Sequence, residues 1–141
     1  MLCVDDSRDI TSILDRCINR EPDMECVGCL DTADDLAAEV ERRRPDVVLL
    51  DMKMPGRDPM AALHEMTAGL TRPGELGGGA GSWTTRVVVF SGRDDQDAAD
   101  TAADAGACGF LSKDAQVPVI LGAIRAAARG KVEHIPFATW R

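Results

Sequence analysis

The sequence predicts an α/β domain, doubly wound, with a five-stranded parallel sheet covered by helices on both faces. Three observations predict it. Short apolar runs alternate with stretches of helical periodicity, five times in succession. Val47-Val48-Leu49-Leu50 is apolar on consecutive residues, as a strand buried on both faces must be. The length of 141 residues suits one domain, and with only 4% aromatics and no Tyr its core falls to Val, Leu, Ile, Ala and Met.

Each element has its own justification. Leu2-Cys3-Val4 is a short apolar run that ends in Asp5-Asp6. Ile10, Ile13, Leu14, Cys17 and Ile18 recur on one helical face, with Ser7 or Asp6 as cap and Pro22 just past the end. Residues 24–29 read as the second strand. Residues 32–44 read as a helix with Ala33, Leu36, Ala37 and Val40 inward, stopped by Pro45. The Val47 strand ends at Asp51, and a helix over about 58–69 turns Met60, Leu63 and Met66 inward. Residues 70–85 hold a run of glycines that lacks the Gly-Lys-Ser/Thr ending of a phosphate cradle, so they read as a flexible loop. Val87–Phe90 is the fourth strand, residues 94–105 a helix whose inner face offers little but alanine, and residues 108–111 the fifth strand. The last helix covers 115–129, with Val117, Ile120, Leu121, Ile124 and Ala128 in register.

Composition removes several classes of function. The net charge of -8 and pI near 4.7 disfavour direct contact with phosphate backbones, so no nucleic-acid binding by this chain is expected. No apolar run approaches the ~18 residues of a membrane span, and no signal sequence is visible, so a cytoplasmic location is expected. The five cysteines are odd in number and scattered, which argues against a disulfide framework. Cys26 and Cys29 form a C-x-x-C, but residues three apart on a strand face opposite sides and could not share a metal. They read as thiols acting as small hydrophobes.

In a parallel sheet the functional site lies outside the carboxyl ends of the strands. Asp5 and Asp6 sit there after strand one, Asp51 after strand three, Ser91 after strand four and Lys113 after strand five. Three converging carboxylates stay ionised together only beside a compensating cation, and an all-oxygen set suits Mg²⁺. A strand-end Asp beside Mg²⁺ can act as nucleophile and form an aspartyl phosphate. Ser91 and Lys113 would then meet the charge that develops on the phosphoryl oxygens. Taken singly, Asp5-Asp6 could be a helix cap, Ser91-Gly92 a turn and Lys113 a surface charge. Their joint position at the strand ends favours the site.

These residues carry a resemblance. Val4-Asp5-Asp6-Ser7, Leu49-Leu50-Asp51-Met52-Lys53-Met54-Pro55-Gly56, Val88-Val89-Phe90-Ser91-Gly92 and Gly109-Phe110-Leu111-Ser112-Lys113 resemble, in order, the motifs of receiver domains of bacterial two-component response regulators. Lys113-Asp114-Ala115 resembles the NarL/FixJ branch, whose members usually carry a C-terminal helix-turn-helix. The resemblance implies a flavodoxin-like strand order 2-1-3-4-5, with residues 1–130 as the receiver and 131–141 as a tail or the start of a linker. It implies that Asp51 accepts a phosphoryl group from a sensor histidine kinase. Asp6, Asp51 and the Lys53 backbone carbonyl would bind Mg²⁺ directly, and Asp5 through water. Ser91 and Lys113 would contact the phosphoryl group, and Phe110 would be the switch aromatic. A homodimer is a further implied partner. The result would be a switch and not a turnover enzyme.

The chain departs from the family pattern in a short first strand, a long glycine-rich loop and the lack of a helix-turn-helix motif after residue 130. That leaves an isolated receiver of a longer regulator, or a single-domain receiver. Two rivals are weighed. A haloacid-dehalogenase-type phosphatase would want an acid two residues after its nucleophile, where Lys53 stands. A phosphorylation-independent pseudo-receiver would typically lose an acidic residue or the lysine, and this chain keeps them. His64-Glu65 resembles the His-acid pair of sensor-kinase helices, though a solvated helix residue is the simpler reading. Arg42-Arg43-Arg44 reads as a helix end complementing its dipole.

Overall fold

Val47–Leu50 is buried at every position, because this strand runs through the middle of the sheet with a helical layer on each side. The computed structural model describes residues 1–67, 75–76, 85–92 and 96–129. In chain order the elements are β1 (Leu2–Val4), α1 (Arg8–Asn19), β2 (Gly28–Leu30), α2 (Leu36–Arg43), β3 (Val47–Leu50), α3 (Pro59–Thr67), β4 (Glu75–Leu76), β5 (Thr85–Ser91), α4 (Gln96–Asp104), β6 (Gly109–Ser112) and α5 (Val117–Ala128). The parallel strands lie in the order β2-β1-β3-β5-β6, which is the expected 2-1-3-4-5 when parallel strands alone are counted.

Two apolar clusters divide the core by sheet face. Cys3, Val47, Leu49, Val88, Phe90 and Leu111 point to one face with Leu14 and Ile18 of α1 and Ile120 and Ile124 of α5. Leu2, Val4, Val48, Leu50, Val87, Val89 and Phe110 point to the other with Leu36 and Val40 of α2, Leu63 of α3 and Ala102 of α4. The period-2 alternation of the strands thus feeds both layers. Among the described residues no helix is long and apolar enough to cross a membrane.

Local chemistry sets the helix ends. Ser7 caps α1, its hydroxyl accepting from the Ile10 N–H. Arg44 takes a left-handed φ of 49° where α2 ends, and Pro45 cannot continue the helix. Arg42 and Arg43 sit in the last turn of α2 and pair with Glu39.

Several expectations are corrected. The second strand is Gly28–Leu30, and residues 24–27 form an irregular approach to it. The approach is held from outside the strand: Cys26 N–H donates to Asn19 Oδ1 at 2.9 Å and Val27 N–H to the Met1 carbonyl at 2.8 Å. Helix α2 starts only at Leu36 and leaves Ala37 exposed. Ile13 on α1 and Val117 on α5 face solvent, while α5 buries Ala123 and Ala127 instead of Val117 and Ala128. Within the stretch read as a loop, β4 pairs antiparallel with Thr85 and Arg86 at the start of β5. The glycines at 77–81, the tail from residue 130 and the Met66 side chain lie outside the described residues.

Candidate functional site

Backbone ladder bonds continue one residue past the strands and fix the site residues in place. Asp5 N–H donates to Leu30 O at 2.9 Å, Asp51 N–H to Val4 O at 2.9 Å and Lys113 N–H to Ser91 O at 2.8 Å. Asp5, Asp51, Ser91 and Lys113 are thereby gathered at the carboxyl edge of the sheet. Asp5, Asp51 and Ser91 are buried, at 3%, 2% and 2% exposure, whereas Asp6 is exposed.

Lys113 lies between two of the carboxylates. Its Nζ is 2.7 Å from Asp5 Oδ2 and 3.3 Å from Asp51 Oδ2, with the Phe90 ring centroid at 6.0 Å. Among the described residues, neither of these buried oxygens has a partner apart from this shared ammonium. The other oxygen of each is held from the backbone: Ser7 N–H donates to Asp5 Oδ1 at 2.9 Å, and Lys53 N–H to Asp51 Oδ1 at 3.2 Å. One cation for two buried carboxylates leaves negative charge uncompensated, and Asp6 adds more. One oxygen from each of Asp5, Asp6 and Asp51 lies within 4.8 Å of the others, a hard donor set that fits Mg²⁺.

The electrostatics follow from this crowding. Burial, then the Asp5 charge, raises the Asp51 carboxyl above the ordinary 3.8, against the opposing pull of Lys53 N–H and Lys113. Burial opposes the charge on Lys113, but the hydrogen bond to Asp5 and the charge of Asp51 raise it overall. Lys113 therefore stays an ammonium at neutral pH.

A pH dependence follows. With Asp51 raised, the folded state binds a proton more tightly than the unfolded chain. Between 3.8 and the raised value the folded state carries the excess proton, so this residue's contribution to stability falls as pH rises. In metal-free buffer, urea unfolding of wild type is expected to lose stability from acidic to neutral pH more steeply than Asp51→Asn. Parallel pH profiles for the two would contradict the assigned shift.

The other expected residues fall as follows. Phe110 is buried on the α2–α3–α4 face, in the cluster that holds Val87, Val89 and Ala102. Lys53 is exposed, and its amide is turned to Asp51. His64 is exposed on α3. Sequence reasoning missed Asp34. Its Oδ1 accepts from Arg57 N–H at 2.9 Å and so ties down the loop that follows Asp51. Gly56 in that loop has φ of 88°, and a Cβ there would lie 2.8 Å from Asp34 Oδ1, so glycine suits both the backbone and the contact. The signal that could have found this was Gly56 in a strand-end loop. Ser112, also missed, is buried beside Ser91 in register and caps the next turn through Asp114 N–H at 3.1 Å.

A parallel α/β sheet thus carries a carboxylate trio, a hydroxyl and a lysine at its carboxyl edge. The profile of the response regulator receiver domain matches residues 1–125, and the chain belongs to that family. It is 30% identical over 132 residues to the nitrate/nitrite response regulator NarL of Escherichia coli K12, covering 94% of this chain and 56% of that protein. It is 43% identical over 68 residues to a protein-glutamate methylesterase/protein-glutamine glutaminase of Nitrobacter winogradskyi, covering 48% of this chain and 16% of that protein. The chain thus spans about half or less of the length of these curated relatives. Among solved structures, the signal receiver domain of NarL from Mycobacterium tuberculosis aligns with TM-score 0.77 and 26% identity, over 92% of this chain and 94% of that one. The response regulator domain of Thermotoga maritima CheB aligns with TM-score 0.74 and 24% identity, over 91% and 94%. The last likeness speaks to the fold alone.

Proposed function

We propose that the chain is a phosphorylation-dependent switch in which Asp51 takes a phosphoryl group from the phosphohistidine of a sensor kinase. The observation that carries this reading is the Lys113 ammonium held between the buried Asp5 and Asp51 carboxylates. An oxygen of Asp51 forms a bond to phosphorus as the P–N bond breaks, and the imidazole leaves with the electron pair. Bound Mg²⁺, held by Asp6, Asp51 and the Lys53 carbonyl with Asp5 acting through water, would neutralise charge on the phosphoryl oxygens. Lys113 would give one phosphoryl oxygen a charged donor in exchange for its contact with Asp51. The Ser91 hydroxyl would supply a second donor. Hydrolysis of the acyl phosphate would return the switch slowly to rest.

The readout would be a surface at α4 and β6. Within the described side chains, α4 buries Ala102, and Ala105 is buried just beyond its end. An alanine methyl is worth well under half of the ~1.5–3 kcal/mol that burial of a leucine gives. Elements held by few apolar contacts open most easily. Ser91 lies at the end of β5, and Phe110 on β6 alongside Val89. Movement of the Ser91 side chain toward a phosphoryl oxygen would alter the packing around Phe110 and bias α4 between two positions. Hydrogen exchange tests this function. Helix α4 is expected to exchange fastest of the five and to change most when beryllofluoride and Mg²⁺ are added. Protection equal to that of α1, with no response to the mimic, would overturn the switch.

Likeness to NarL-type regulators supports a role as the regulatory domain of a transcription factor in the cytoplasm. DNA contact would then belong to another domain, since this chain carries a net charge of -8. The exposed large apolar side chains among the described residues are Ile13 on α1 and Val117 and Val119 on α5. They favour a homodimer through these helices. Light scattering is expected to show a larger mass with beryllofluoride than without, and a monomer under both conditions would remove the dimer.

A further inference from the structure

The C-x-x-C, set aside above because strand neighbours three apart face opposite ways, does not behave as strand sequence. Cys26 precedes β2, in the irregular segment that Asn19, at the end of α1, and Met1 hold in place. Its thiol folds back and donates to the Gly28 carbonyl at 3.4 Å. Cys29 lies in β2 directly opposite Cys3 of β1, so the two share one face of the sheet. One sulfur from each of Cys3, Cys26 and Cys29 lies within 4.8 Å of the others, and all three are free thiols.

We propose that Cys3, Cys26 and Cys29 form a three-thiolate site for a thiophilic d¹⁰ metal ion, Zn²⁺ or Cu⁺. The donor set is uniformly soft, which selects these ions over the hard Mg²⁺ that suits the carboxylates. A Zn–S bond of about 2.3 Å places tetrahedral sulfurs roughly 3.8 Å apart, so the thiols need close in by only about an ångström or less. The burial gradient gives the ion a way in. Cys3 is buried at 1% exposure, Cys26 is half-buried and Cys29 is exposed. A small-hydrophobe role accounts for Cys3 but not for a thiol at the surface. The outer side stays open, where water would complete four-coordinate zinc, while copper(I) is satisfied by three sulfurs.

The surroundings suit the anionic complex that such a site makes. The Arg43 guanidinium reaches across from α2 to the Val27 carbonyl and fills the space beside Gly28, between the two cysteines in sequence. The Cys29 sulfur also lies 3.9 Å from the Thr11 carbonyl of α1, which closes the site on the helix side. Binding would release the thiol protons to solvent and change no oxidation state.

The test titrates the reduced full chain with Zn²⁺ against a chromophoric zinc chelator and, separately, with Cu⁺ against a copper(I) chelator. Cd²⁺ serves as the optical probe, through its thiolate charge-transfer band. The expected result is one ion per chain for Zn²⁺ or Cu⁺, with a Cd²⁺–thiolate band. Cys29→Ser and Cys26→Ser are each expected to weaken binding at least tenfold, while Cys17→Ser and Asp51→Asn leave it unchanged. Cys29→Ser changes an exposed side chain, so its fold, checked by circular dichroism, is expected to persist. Failure of the reduced wild type to take up either ion would overturn the site. So would equal affinity in Cys29→Ser, or binding abolished by Asp51→Asn instead.

Discussion

Lys113→Ala is expected to lower the stability of the metal-free protein by about 2–3 kcal/mol. Breaking a fully buried ion pair costs about 3–5 kcal/mol, and the smaller figure applies because the lysine side chain keeps 19% exposure and water screens it. The loss arises from what remains. Asp5 and Asp51 would face each other in a buried edge, each with one oxygen deprived of its sole partner among the described residues. For a domain of this size the midpoint should fall on the order of 5–15 °C. On the proposed reading Mg²⁺ would bind the folded state, and a ligand at a hundredfold excess over its Kd stabilises by about 2.7 kcal/mol. With the ammonium gone, the carboxylates bind the cation more tightly, so Mg²⁺ should raise the midpoint of the variant more than that of wild type. Thermal melts in chelator and in Mg²⁺ check both statements. A variant as stable as wild type in chelator would mean that the ammonium does not hold the two carboxylates together.

The same residues show what a sequence discloses. Val47–Leu50 announced the sheet centre because burial on both faces leaves no polar position. Asp5, Asp51, Ser91 and Lys113 were legible as a group because each follows an apolar run, and parallel strands bring those ends to one edge. Where distant backbone decides the outcome, the pattern fell short. Residues 24–27 look like strand, yet Asn19 and Met1 turn them into the approach to β2. That irregular segment also brings Cys26 to Cys3 and Cys29, which spacing alone argued against. Helix α5 is apolar on most sides, so periodicity could not say that Val117 faces solvent while Ala123 and Ala127 pack inward. Strand β4 is two residues long and exists through its pairing with Thr85 and Arg86, and so left no signature of its own. Asp34, an exposed residue after β2, serves the site only because the fold lays the Gly56 loop against it.

Abolition of phosphoryl uptake by Asp51→Asn is the largest effect expected. Asparagine keeps the shape of the side chain and the Lys53 N–H contact, but its amide lacks the anionic oxygen that must attack phosphorus. Asp5 is held closer to the Lys113 ammonium, at 2.7 Å against 3.3 Å for Asp51, and Asp6 is exposed. The direct measurement is incubation of wild type and Asp51→Asn with a small phosphoramidate or acetyl phosphate, with and without Mg²⁺, followed by separation on a phosphate-affinity gel. Wild type should shift only with the divalent cation, and Asp51→Asn should not shift at all. Equal shifts in both proteins, or a wild-type shift that persists in chelator, would contradict the assignment of Asp51 as the phosphoacceptor of a metal-dependent switch.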